Sequence, residues 1–319
     1  MVWHHAADLV ASLSALSHLH LRYAVLQGAT PSHKKQYLRM TRQSLSIPAS
    51  IELSAGRVLD TPESFALIPK GCDIYLVDVG KESDERFAAA AARLRQEGYN
   101  PVPHFAARRF TSIAAFQSRL AAMEKSAAIT QVLAIGGGLE QSAGAFSSTM
   151  EMLQTGLFQA HGIKKIGIAG HPEGSPDFSD AIALDALLQK QAYGEMHRLE
   201  LYLVTQFGFD ASVFLNWASS LPAQGINLPV HIGVSGPAKI PSLLKFAVLS
   251  GVGNSIQFLR RNAMSVKALA LGFDPEVVVR PIEELWKAAP SSNIHQIHVY
   301  AFGGPKASSE WLLKRGSWR

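Results

Sequence analysis

Eight short apolar or β-branched runs alternate with longer helix-patterned stretches along most of this chain, and that alternation limits the folds open to it. The runs are 50–54, 73–79, 101–106, 131–136, 165–170, 201–207, 230–235 and 296–302. Between them lie helical patterns at 82–97, 113–124, 147–160, 180–197, 211–223 and 241–250, several stopped by glycine (Gly98, Gly162, Gly225 and Gly251). Strands separated by helices run parallel, joined by right-handed crossovers. Eight such units over about 250 residues predict a (β/α)8 TIM barrel rather than a doubly wound sheet, which has fewer strands and a glycine-rich fingerprint after the first. The interval 252–290 is expected to hold two or three helices. Residues 1–49, with Leu9, Leu13, Leu16, Leu19 and Leu21 near helical spacing, read as an N-terminal helical extension to a single catalytic barrel over 50–319.

A content of 47% hydrophobic residues in 319 is ample for one buried core. The net charge of +5 raises the question of nucleic acid, but the basic residues are scattered in pairs (Lys34-Lys35, Arg108-Arg109, Arg260-Arg261, Lys314-Arg315) with no stripe interleaved with aromatics. A basic cleft for an anionic small molecule accounts for the charge better. The single cysteine, Cys72, excludes an internal disulfide framework and a multi-thiolate zinc site. No apolar run nears the ~20 residues that cross a bilayer, and no signal-peptide core opens the chain, so a cytoplasmic location without membrane attachment is expected. The first fifty residues hold one acid, Asp8, against five Arg and Lys; they faintly resemble an organelle transit peptide and read equally as helix plus loop.

In a (β/α)8 barrel the chemistry sits where the strands end. The strand ends here carry Glu52, Asp78, His104, Gly136-Gly137-Gly138, His171-Pro172-Glu173-Gly174, Thr205-Gln206 and Ser235-Gly236-Pro237. Glu52 stands out, because an acid in the apolar run Ser50-Ile51-Glu52-Leu53 must be paired, protonated or used. Each of the others has a bland reading: His104 as a backbone-bonded histidine, the glycine triplet as a tight turn. The triplet also suits close approach of backbone amides to a planar or anionic ligand. No Rossmann, Walker or His-Glu-x-x-His pattern occurs, nor a Gly-x-Ser-x-Gly elbow. The remaining inventory is an acid, an amide, a histidine and glycine-lined walls, which suits proton donation to a heterocycle while a cofactor performs the hard step.

These residues resemble the 5,10-methylenetetrahydrofolate reductases. Ile168-Ala169-Gly170-His171-Pro172-Glu173-Gly174-Ser175-Pro176 is similar to that family's fifth-strand motif, and Thr205-Gln206-Phe207-Gly208-Phe209-Asp210 is nearly its Thr-Gln-Phe-Phe-Phe-Asp. Val102-Pro103-His104-Phe105 is similar to its Pro-His-Leu, Ile51-Glu52-Leu53 stands at its Phe-Glu-Phe, and Phe246 falls at its folate-contacting aromatic. The resemblance runs from Ser50 to Phe302. It implies a barrel that passes hydride from NAD(P)H, usually through FAD, to 5,10-methylenetetrahydrofolate, a step of one-carbon metabolism on the way to methionine. By carry-over Glu52 is the general acid, Gln206 and Phe246 bind the folate, and Asp78, His104, Gly136, Gly137, Gly138, Ala169, His171, Ser175 and Lys190 surround the cofactor.

The chain departs from the family in places. Gly136-Gly137-Gly138 replaces Arg-Gly-Asp, Asp78 replaces Thr, Ser175 replaces the second His, and the basic helix around Lys190 loses its Ala-Gly-Ala turn. These losses open a flavin-free alternative in which NAD(P)H gives hydride directly. They also leave open a folate-binding one-carbon transfer protein and a non-catalytic folate-binding subunit, and homo-oligomerisation stays open as well.

Overall fold

The computed structural model describes residues 45–78, 82–249 and 272–318, together with Arg42 and Gly80. Eight parallel strands close into a barrel in chain order: β1 (Ala49–Ser54), β2 (Asp73–Val77), β3 (Asn100–Ala106), β4 (Gln131–Ile135), β5 (Lys165–Gly170), β6 (Glu200–Gly208), β7 (Val230–Ser235) and β8 (Ile294–Tyr300). The expected (β/α)8 architecture is therefore present. β8 begins two residues earlier than the run 296–302, because His295 separates Ile294 from that run without interrupting the strand.

The helices among the described residues are α1 (Ala55–Asp60), α2 (Asp84–Gln96), α3 (Ile113–Ala127), α4 (Thr149–Gln154), α5 (Leu157–Ala160), α6 (Asp180–His197), α7 (Ala211–Ser220), α8 (Ile240–Leu249), α9 (Glu276–Ala288) and α10 (Pro305–Arg315). Serine starts many of them: Ser54, Ser83, Ser112, Ser148 and Ser179 each accept a hydrogen bond from the backbone N–H three residues on. Each such cap is worth about 1 kcal/mol. The stretch 147–160, read as one helix, is two, because Gly156 takes a left-handed φ of 69° between α4 and α5. The expected leading helix, Gly251 and residues 252–271 lie outside the described residues; the rest of the interval 252–290 is described and holds α9.

Alternation along the strands separates two cores. Ile51, Leu53, Ile74, Leu76, Phe105, Val132, Ile166, Ile168, Leu203, Ile232, Ile297 and Val299 are buried in the layer shared with the helices. A ring cluster of Phe105, Phe110, Phe116, Phe146 and Phe158 fills the same layer behind β3. The second core, inside the barrel, is Tyr75, Val102, Leu133, Tyr202 and Val204, with the two tyrosine hydroxyls 2.8 Å apart. Gly167 makes room for it: a Cβ there would lie 2.8 Å from the Tyr202 ring.

A β-bulge between Val204 and Phe207 shifts the pairing of β6 with β7. Thr205, fully buried, satisfies the break: its Oγ1 accepts from the N–H of Gly233 at 2.8 Å and donates to the Gln206 carbonyl at 2.8 Å. Bulges commonly re-aim side chains beside functional sites. Here the bulge sets Gln206 at the mouth end of β6. A Cβ on Gly233 would fall 2.4 Å from the Thr205 carbonyl oxygen. Gly233→Ala is therefore expected to cost about 2 kcal/mol of stability, as an overpacked core site does. An unchanged urea midpoint would show that the joint yields freely.

Candidate functional site

The mouth of the barrel is organised around Glu52. Its register partners are Tyr75 on β2 and Tyr300 on β8, so it belongs to the ring of inward-facing positions near the strands' C-terminal ends. Its carboxyl oxygen Oε2 lies 3.8 Å from His104 Nε2 and 3.6 Å from His298 Nε2. Both separations exceed a hydrogen bond, and neither Nε2 has another partner. The Glu52 side chain is 13% exposed whereas that of His298 is wholly sealed, so an incoming molecule meets the carboxyl before the imidazole.

His104 is kept neutral. Burial drives its pKa down to about 4, a pull that outweighs the opposing effect of Glu52, and His298 pushes the same way as burial. Burial, followed by the charge of Glu52, raises the Tyr300 hydroxyl well above its ordinary range, so it stays a donor; it bonds the Thr205 carbonyl at 3.0 Å. The carboxyl thus faces a His104 ring that burial keeps uncharged and a Tyr300 hydroxyl that keeps its proton.

His298 is held as firmly as Glu52 is exposed. Its ring lies 4.3 Å from Tyr75 and 5.0 Å from Tyr300, centroid to centroid, and its Nδ1 is 3.0 Å from Ser50 Oγ. The sequence reading missed both His298 and Ser50. The signal was available: Gln296, His298 and Tyr300 alternate with Ile297 and Val299, placing a polar face on one side of β8, and Ser50 lies two positions before Glu52 on β1.

An aromatic wall leads away from the acid. Tyr300 stacks on Phe302 (5.7 Å, 21°), and Phe302 on Phe246 of α8 (4.3 Å, 17°). Phe207 closes the edge at 4.7 Å from Phe302. Phe246, named from the sequence, thus stacks in line with Phe302 and Tyr300, which were not named.

The other candidates surround this centre unevenly. Gly136, Gly137 and Gly138 follow β4; Gly137 has φ 86° and faces Ala106, while Gly136 and Gly138 open onto space where a Cβ would sit. Ala169, half-buried, pairs with Val204 at the end of β5. His171 packs edge-on to Phe178 at 5.0 Å, and burial, reinforced by nearby Lys190, lowers its pKa to about 4. Burial also lowers the pKa of Lys190. Ser175 Oγ accepts from the Asp177 N–H at 3.2 Å and shapes the loop after β5. Asp78 is committed elsewhere: Oδ2 accepts from Arg119 at 2.6 Å and Oδ1 from the Gly80 N–H at 2.8 Å. Arg119 also grips Asp84 and stacks over Phe110, so this acid ties β2 to α3. Among the described residues no group of three or more His, Cys, Asp or Glu forms a metal site, and no described helix is long and apolar enough to cross a membrane.

No family model matches the chain. Over 146 residues, 44% of the chain, it is 29% identical to methylenetetrahydrofolate reductase 1 of Schizosaccharomyces pombe; the matched stretch is 23% of that protein, so the chain spans about a quarter of its length. Among solved structures, an uncharacterized Clostridium thermocellum protein that binds two copies of 5-methyl-5,6,7,8-tetrahydrofolic acid superposes with a TM-score of 0.54. That match covers 84% of this chain and 92% of the other at 12% identity, a likeness of fold. The similarity is to methylenetetrahydrofolate reductases, and it is a divergent one.

Proposed function

We propose that this chain reduces 5,10-methylenetetrahydrofolate to 5-methyltetrahydrofolate with hydride from NAD(P)H, Glu52 serving as general acid. The observation that carries the reading is the carboxyl at the barrel mouth, reachable from outside and flanked by two sealed imidazoles. The substrate's five-membered ring must open before it accepts hydride. A proton delivered to N10 lets the C–N10 bond break, leaving an iminium at N5; hydride then adds to the iminium carbon and makes the methyl group. Glu52 supplies the proton, and it ends the step as a carboxylate. The names of the fungal relative and of the bacterial structural neighbour both support a folate as substrate class.

The remaining groups divide between the two ligands. Gln206, placed at the mouth by the bulge, hydrogen-bonds the pterin, and the Tyr300–Phe302–Phe246 stack gives the folate's flat rings an apolar wall. Gly136, Gly137 and Gly138 let a planar ring approach the backbone. Lys190, beside His171, pairs with the dinucleotide's phosphate on the β5 side.

A flavin fits the reacting end less well than nicotinamide. Reduced flavin gathers negative charge on its pyrimidine edge, whereas a nicotinamide that has given up hydride becomes a cation. The groups facing Glu52 are neutral imidazole and phenol, the positions after β4 are glycine, and the nearby Asp78 is bound to Arg119. We therefore assign NAD(P)H as the direct hydride donor. Purified protein is expected to lack a flavin absorption band and to oxidise NAD(P)H when methylenetetrahydrofolate is added. A bound flavin peak overturns the direct route. Folate binding without NAD(P)H oxidation overturns the reductase and selects the one-carbon transfer protein or the non-catalytic binding subunit. Gln206→Leu is expected to weaken folate binding by about tenfold, the loss of a buried polar contact, with NAD(P)H binding unchanged. Titration of each ligand separately distinguishes this from a folding defect, which weakens both.

A further inference from the structure

The polar groups below Glu52 form a chain whose hydrogen-bond directions are fixed at one residue, Gln296. Its amide nitrogen lies 3.1 Å from Ser50 Oγ and 3.1 Å from His231 Nδ1. An amide nitrogen only donates, and it has two hydrogens for these two contacts. His231 Nδ1 is therefore an acceptor. Ser50 Oγ accepts as well, so its own hydrogen is left for its other contact, His298 Nδ1 at 3.0 Å, in a site buried from water. With Nδ1 accepting, His298 carries its hydrogen on Nε2, the nitrogen that faces Glu52.

Packing prevents the rings from escaping this assignment by turning over. His298 is wedged against Tyr75 and Tyr300, and His231 lies on Tyr202 with centroids 4.4 Å apart. Burial keeps His231 uncharged, in accord with an accepting Nδ1.

We propose that Gln296 is a positioning residue that, through Ser50, holds His298 as its Nε2–H tautomer with the N–H directed at the Glu52 carboxyl. The role deepens the reductase reading and rests on it. When Glu52 releases its proton to the folate, a donor is already aimed at the carboxylate that forms, and closing the 3.6 Å gap makes a charge-assisted hydrogen bond that exists only after transfer begins. With the hydrogen on Nδ1, the same ring would present a lone pair to that carboxylate and oppose the transfer.

The test reads the tautomer without substrate. Protein labelled with 15N-histidine is examined by long-range 1H–15N correlation, the His298 and His231 signals being assigned from their loss in His298→Gln and His231→Gln. The expected wild-type result is Nε2–H on both rings; in Gln296→Met the His298 signal moves to the Nδ1–H form or to a mixture. The kcat for folate reduction falls about tenfold in Gln296→Met, with KM for NAD(P)H unchanged. Should Gln296→Met fail to fold, Ser50→Ala severs the same link by removing one oxygen and is expected to release the tautomer likewise. Nδ1–H on both rings in the wild type, the pattern demanded if the amide oxygen lay between Ser50 and His231, overturns the proposal. An Nε2–H signal unmoved in the variants overturns it too, as does a moved tautomer with unchanged kcat. Wild-type protein with both Nε2–H signals but no folate-dependent NAD(P)H oxidation leaves the tautomer assignment standing and sinks the reductase instead.

Discussion

Glu52→Gln is expected to lower the rate of methylenetetrahydrofolate reduction by roughly 10³-fold, the scale of a lost general acid. Binding of NAD(P)H is expected to stay close to wild type. The glutamine keeps the volume of the side chain between His104 and His298, and it introduces no charge beside His104, which burial holds neutral. What it lacks is the proton that N10 requires. The measurement is turnover of methylenetetrahydrofolate alongside NAD(P)H titration and a thermal melt on the same preparation. Near-normal turnover removes Glu52 from the mechanism. Joint loss of turnover, cofactor binding and melting temperature assigns the residue to folding.

The barrel was legible because parallel strands covered by helices must be apolar on both faces, and such runs stand out between amphipathic stretches. Glu52 was legible for the complementary reason, as an ionisable group in a run that otherwise excludes one. His298 escaped notice although its chemistry is as informative, because Gln296, His298 and Tyr300 were read as one strand among eight and not as a polar face. The division of duties at Asp78 could not be read from its neighbours at all: its partner Arg119 is 41 residues away, and only the packing of α3 beside α2, which itself packs on β2, brings them together. The glycine triplet shows a different limit. Its sequence announces freedom of the backbone, while the open space beside Gly136 and Gly138 and the left-handed Gly137 appear only once the loop is closed against β3.

Three buried histidines make the fold sensitive to mild acid. His104 and His171 have pKa values of about 4, and that of His231 is lowered well below its ordinary value, burial being the first cause in each. In the unfolded chain each titrates near 6.5. Between about pH 6.5 and 4 the unfolded state therefore binds more protons than the native state, so unfolding becomes easier as pH falls through that window. For His104 the shift corresponds to about 2 kcal/mol lost between pH 7 and pH 5, and His171 and His231 act in the same direction. Urea unfolding at the two pH values is expected to show a clear fall in stability, and His104→Gln to reduce its dependence on pH by close to one proton. Carboxylates contribute lower down, since unfolded Asp and Glu titrate near 4, so the upper part of the window reports the histidines. A midpoint that does not move between pH 7 and pH 5 would mean that these rings gain protons in the folded barrel as readily as in water, and the neutral surroundings assigned to Glu52 would then be wrong as well.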